Sequence, residues 1–233
     1  MKTSRLLIST KTISTQERDW WAQAGVRLKA YPMIENTLLA VDLDHELGEE
    51  ILVFTSKNAV KAVLNASKPP QLQALQSKTI ASIAPATSQY LQKHSVPVSC
   101  EASNSADLAK KIIASYPPQP IRYFTKEDRL DVLPAELSQA KFEVGESIVY
   151  QTQARPQIVH WGEAEGAFFY SPSAVRSFFE LNQWPQDKIA YAIGSTTAQA
   201  LLAAKVDSIQ IAEIPSRAGL LASIQSTFNS IYP

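Results

Sequence analysis

Two apolar stretches in this sequence run into a small hydroxyl residue and then restart with helical spacing. Phe54 to Val60 reads FTSKNAV, and 115 positions on, Phe169 to Val175 reads FYSPSAV. IAPATSQYL, Ile83 to Leu91, returns as IGSTTAQAL, Ile193 to Leu201, at a shift of 110. SADLAKKI, Ser105 to Ile112, returns more loosely as RAGLLASI, Arg217 to Ile224, at 112. Three correspondences in one order at nearly one offset make an internal repeat. Each of Ser56, Thr87, Ser171 and Thr197 fits a plain helix cap. Each also fits an anion site, because the first turn of a helix has unpaired N–H groups and the positive end of the helix dipole. Four such positions, placed alike in two halves, indicate a carboxylate- or phosphate-rich ligand held between two domains.

The elements that must position these turns alternate. RLLIS (Arg5 to Ser9) has the pattern of a short buried strand, QERDWWAQA of a helix closed at Gly25, and VRLKAY of a strand ending before Pro32. The acidic, irregular MIENTLLAVDLDHELGEE interrupts as a connection. ILVF then has the all-apolar pattern of a strand buried on both faces of a parallel sheet. After it come the helix NAVKAVLNA, strands KTIASIA and VPVSC, the helix SNSADLAKKIIASY and the strand IRYFT. LDVLPAELSQAKF is a helix closing near Gly145, and SIVYQTQ (Ser147 to Gln153) is extended. Beyond Arg155-Pro156 the alternation restarts: strand GAFFYS, helix AVRSFFELN, strand IAYAIG, helix STTAQALLAAK, strand SIQIAE, helix RAGLLASIQSTF. Alternating β and α, twice over, predicts two doubly wound α/β units whose hydroxyl turns open on the carboxyl edges of their sheets.

The 233 residues suffice for two domains of about 100 residues each. Lys plus Arg and Asp plus Glu both number 22, so no overall field draws nucleic acid or an anionic membrane. Any anionic ligand must be held by local geometry. One cysteine, Cys100, allows no intramolecular disulfide and fits a reducing compartment. His45, His94 and His160 lack partners at metal-ligand spacing, so no metal site is expected. The N-terminal apolar run, Leu6 to Ile8, falls short of the ~7–15 residues of a signal peptide or the ~20 of a membrane span. A soluble, cytoplasmic monomer is expected.

At these residues the chain resembles the uroporphyrinogen-III synthase family. FTSKNAV is similar to the family's first FTS-helix motif and FYSPSAV to its second; IGSTTAQAL is similar to its I-G-x-T-T-A-x-A-L turn, and VLPAEL with SIVYQT to its helix, linker and tyrosine. The resemblance implies two flavodoxin-like doubly wound parallel-sheet domains joined by a two-stranded ladder, one inserted in the other. On this chain that gives 1–32 plus 155–233, an inserted 45–145, and linkers 33–44 and 146–154. It further implies cyclisation of hydroxymethylbilane to uroporphyrinogen III, a step of heme biosynthesis, with loss of water and inversion of the last pyrrole ring, and without cofactor or metal. Tyr150 matches the tyrosine assigned near the leaving group. On its residues alone it reads first as a packed strand aromatic. Ser56, Thr87, Ser171, Ser173, Thr196 and Thr197 match substrate-binding positions.

The chain departs from the family in places. Ala84 stands where the family has Gly, and Pro85 removes one N–H donor. TKEDRLDV lacks the Gly that follows the preceding strand; its basic residue would be Lys126 or Arg129, although the run also reads as a solvated surface. A nucleotide- or flavin-binding protein would want a glycine-rich first turn, which Ser9-Thr10-Lys11 does not offer. The remaining alternative is a non-catalytic two-domain binder of a tetrapyrrole or other polycarboxylate.

Overall fold

The computed structural model describes residues 4–48, 51–127 and 132–231. In chain order it begins β1 (Arg5–Ser9), α1 (Thr15–Gln23), β2 (Val26–Ala30), β3 (Ile34–Leu38), α2 (Leu43–Glu46), β4 (Ile51–Phe54) and α3 (Lys57–Ala66). α4 (Pro69–Ser77), β5 (Thr79–Ile83), α5 (Ala86–Lys93), β6 (Cys100–Ala102), α6 (Ser105–Ser115), β7 (Pro120–Lys126), α7 (Val132–Gln139) and β8 (Glu143–Ala154) follow. The chain closes with β9 (Gly166–Phe169), α8 (Pro172–Phe179), β10 (Ile189–Ala192), α9 (Ser195–Ala203), β11 (Ile209–Ile211) and α10 (Arg217–Ile231). It divides into two compact units: Met1–Glu35 with Gln153–Pro233, and Asn36–Thr152.

The first unit has a five-stranded sheet in the order β11-β10-β9-β1-β2, with all four neighbouring pairs parallel. Numbered along the chain within the unit, that order is 2-1-3-4-5, the flavodoxin-like arrangement. Leu7 and Ile8 of β1, and Ala167, Phe168 and Phe169 of β9, have no exposed surface. Burying an aliphatic or aromatic side chain fully is worth about 1.5–3 kcal/mol, so these central strands anchor the sheet. Gly166 opens β9 because the strand runs close to its neighbour: a Cβ there would collide with the Ile189 carbonyl.

The second unit has a six-stranded sheet, β3-β8-β7-β4-β5-β6. Leaving out β3, its chain order is 3-2-1-4-5. The spatial pattern is that of the first unit with the chain start moved: β4, β5, β6, β7 and β8 stand where β9, β10, β11, β1 and β2 stand. All four residues of β4 are buried, as an all-apolar central strand requires. α3 covers it with Ala59, Val60, Ala62 and Val63, one stripe at helical spacing.

The α/β class and the alternation are as the sequence predicts. The boundaries differ in four places. The helix expected to close near Gly145 ends at Gln139; Lys141 at φ +70° makes the turn, and Gly145 lies inside β8. β8 runs twelve residues, from Glu143, because its first half pairs with β7. The strand expected at VPVSC is the short β6 beginning at Cys100. α4 has no counterpart in the sequence reading; Pro69 and Pro70 fill its first turn, where a missing N–H costs nothing.

Candidate functional site

In the second unit the carboxyl edge of the sheet carries a cluster of hydroxyls. β4 ends at Phe54, Thr55 follows, and Ser56 caps α3 in an extended conformation (φ −143°, ψ 137°), its oxygen accepting from the Asn58 N–H at 3.1 Å. The Thr55 hydroxyl meets the Tyr123 phenol at 2.9 Å. Tyr150, 7% exposed, lies opposite Lys126 at the end of β7, level with this edge. The Ser56 side chain lies beside its phenol. Burial pushes the Tyr150 pKa above its ordinary value; the Ser56 contact opposes that rise and the field of Tyr123 adds to it. The phenol therefore stays protonated at neutral pH, as a hydrogen-bond donor. Thr87 is buried in the first turn of α5, one turn after β5. It is not a cap: Pro85 holds that position and supplies no side-chain hydrogen bond.

The first unit repeats the edge. Ser171 caps α8, accepting from the Ala174 N–H at 3.1 Å, and Ser173 accepts from Arg176 at 3.3 Å. Gly194 caps α9 without a side chain, so the first-turn amides of Ser195, Thr196 and Thr197 precede the first i−4 bond, made by Ala198 to Gly194. Thr196 is exposed and Thr197 buried. Ser56 and Ser171 are thus caps, whereas Thr87 and Thr197 are buried first-turn residues. The repeat extends to burial: residues 81–90 and 191–200 carry the same buried-to-exposed succession position by position.

Beside Ser171 a second group gathers after β1. Lys11 pairs with Glu17 at 2.8 Å and sits over the Tyr170 ring, 4.6 Å from its centroid. Burial alone would raise the Glu17 carboxyl, but the Lys11 hydrogen bond and charge outweigh it and hold the group below its ordinary value. Tyr170 is driven the other way, far up, chiefly by burial.

Sequence reasoning passed over Thr55 and Tyr123. The signal available was the alternation of IRYFT, which gives Tyr123 and Phe124 opposite faces, but the partner strand is distant in sequence. Of the two candidate basic residues, Lys126 ends β7 and Arg129 lies outside the described residues. Among the described residues no group of three or more His, Cys, Asp or Glu could hold a metal ion, and no helix is long and apolar enough to cross a membrane.

The chain is similar in fold to solved structures. A uroporphyrinogen-III synthetase from Helicobacter pylori superposes with a TM-score of 0.72 at 21% identity, covering 96% of this chain and 99% of that one. A mutant uroporphyrinogen III synthase from the extremely thermophilic bacterium Thermus thermophilus gives 0.63 at 14% identity, over 97% and 98%. The wild-type Thermus protein in a second crystal form gives 0.51 at 15%, over 98% and 100%. No curated protein matches the sequence. The family model described as uroporphyrinogen-III synthase HemD matches residues 21–222, which takes in the hydroxyl turns after β4, β5, β9 and β10. With that span matched, the chain belongs to the uroporphyrinogen-III synthase family, enzymes of tetrapyrrole and heme biosynthesis.

Proposed function

We propose that this chain closes hydroxymethylbilane to uroporphyrinogen III, acting as a cyclising hydro-lyase. The observation that carries the reading is Tyr150, a buried phenol kept protonated at the carboxyl edge of a parallel sheet, beside Ser56. The hydroxymethyl C–O bond breaks with its electron pair going to oxygen, Tyr150 donates a hydrogen bond and then the proton so that water leaves, and the pyrrole N–H proton lost as the azafulvene forms restores the phenol. The azafulvene carbon left behind is attacked by the substituted carbon of the last ring. In the resulting spiro intermediate the bond from that carbon to its original methylene bridge breaks, the ring inverts, and its free α-carbon bonds to that methylene and loses its proton as the macrocycle closes. The larger task is positioning a flexible polyanion, which is worth up to ~7–11 kcal/mol in favourable cases.

Ser56 and Thr87 in one unit, and Ser171, Ser173, Thr196 and Thr197 in the other, bind the substrate's carboxylates together with neighbouring amides. This is supported by their place at helix starts, where partial positive charge favours anions. The division we propose, 1–32 with 155–233, an inserted 45–145, and linkers 33–44 and 146–154, is supported by the two compact units. The working form we propose is a cytoplasmic monomer.

The test is incubation with freshly prepared hydroxymethylbilane and chromatographic separation of the uroporphyrinogen isomers. Isomer III above the uncatalysed background is expected. Isomer I alone would remove the enzymatic reading.

A further inference from the structure

We propose that Tyr123 is a positioning residue for Tyr150: its phenol holds Thr55, and through Thr55 the turn that presents Ser56 to the Tyr150 hydroxyl. The inference rests on the role given to Tyr150 above.

Tyr123 is 4% exposed on β7, opposite Val53 of β4, and its hydroxyl meets Thr55 at 2.9 Å. Thr55 is the single residue between the end of β4 and the cap Ser56. The two tyrosines approach this turn from different faces of one sheet. Tyr150 packs in the core cluster of Phe54 and Phe124, whereas Tyr123 packs with Val53 and Ile121. Consecutive residues of extended chain point to opposite faces. Thr55 therefore meets Tyr123 on one side, which holds the turn, while Ser56 faces Tyr150 on the other.

The internal repeat supplies an independent observation. Tyr170 stands where Thr55 stands. Ser9, paired with Phe168, stands where Tyr123 stands, paired with Val53. Both units thus set one phenol facing one small alcohol across their two central strands, immediately before a capping serine, with the partners exchanged. Phenylalanine and valine would fill the same space, so packing does not account for a hydroxyl on each side. In the first unit the pair is loose. The Ser9 hydroxyl donates to the Lys11 carbonyl at 3.0 Å, and the enclosed Tyr170 hydroxyl lacks a hydrogen bond of good geometry among the described residues. The tight pair is in the unit that carries Tyr150.

The experiment is a double-mutant cycle on steady-state kinetics, with thermal melts of every variant. Tyr123→Phe and Thr55→Val should each lower kcat by about three- to tenfold with KM unchanged, and their combination should cost no more than either alone. Thr55→Ser, which keeps the hydroxyl, should retain most of kcat. In a Tyr150→Phe background, Tyr123→Phe should have no further effect. Should Tyr123→Phe disturb folding, Thr55→Val, at a half-buried position, reads the same link. Wild-type kcat in both Tyr123→Phe and Thr55→Val, or an undiminished loss in the Tyr150→Phe background, overturns the inference and leaves the role of Tyr150 standing. A Tyr150→Phe enzyme at full rate overturns both.

Discussion

In the mechanism proposed above, the phenol of Tyr150 meets two demands, donation to a leaving oxygen and confinement in a core. Removing its hydroxyl by Tyr150→Phe should lower kcat by about ten- to a hundredfold, each tenfold corresponding to about 1.4 kcal/mol, with KM little changed. Unaltered turnover would leave the residue a packing role. Its pKa also has a consequence for stability. Burial raises the folded value above the unfolded one, so the contribution is fully present below the ordinary phenol pKa and is lost as pH rises through the folded value. Tyr170 has the same sign and a larger rise. Denaturant melts taken upward from about pH 10 should therefore show falling stability, and Tyr170→Phe should blunt the fall; an identical alkaline limb in the variant would contradict it. At this scale the sequence made Ser56 and Ser171 legible, because a cap is local chemistry. Tyr123 was not legible, because its partner Thr55 follows another strand, distant in sequence.

Between strand and helix, the two units solve one contact in different ways. In the second unit the Ser82 hydroxyl of β5 bonds the Ser88 hydroxyl of α5 at 2.8 Å, both buried. At the matching places in the first unit stand Ala192 and Ala198, also buried. A buried hydroxyl without a partner costs about 1–3 kcal/mol, whereas replacing both partners by apolar groups is nearly neutral. Ser88→Ala alone should therefore destabilise by that amount, and Ser82→Ala with Ser88→Ala should recover most of it, as read by urea unfolding. Additive losses would show that the pair is not the unit of stability. The alternation of elements was readable from period and cap residues. The length of β8 and the existence of α4 were not, because the one is set by pairing with β7 and the other by two prolines that suit a first turn as well as a loop.

Across the whole molecule, each core cluster stays within one unit. The clusters around Phe54 and around Ile51 use only residues of Asn36–Thr152, and those around Phe169 and around Leu7 only residues of the other unit. The second unit is also continuous in sequence. A fragment of residues 36–152 should fold alone and melt cooperatively, since among the described residues its two core clusters are built from its own side chains. A fragment lacking a cooperative transition would place part of its stability in the other unit. The repeat at 110 to 115 positions announced two similar units, but not that one is the other with its chain start moved.

The sequence by itself determined the α/β class, the repeat, the hydroxyl-bearing turns and the family pattern, because strand and helix periods, caps and motif spacing are properties of neighbouring residues. Only the tertiary structure decided which strands lie side by side, and with that the burial of Thr87 and Thr197, the pairing of Thr55 with Tyr123, and the contact of Tyr150 with Ser56. The reason is physical: sheet order sets which distant side chains share an edge, and it is fixed by the packing of whole strands and helices.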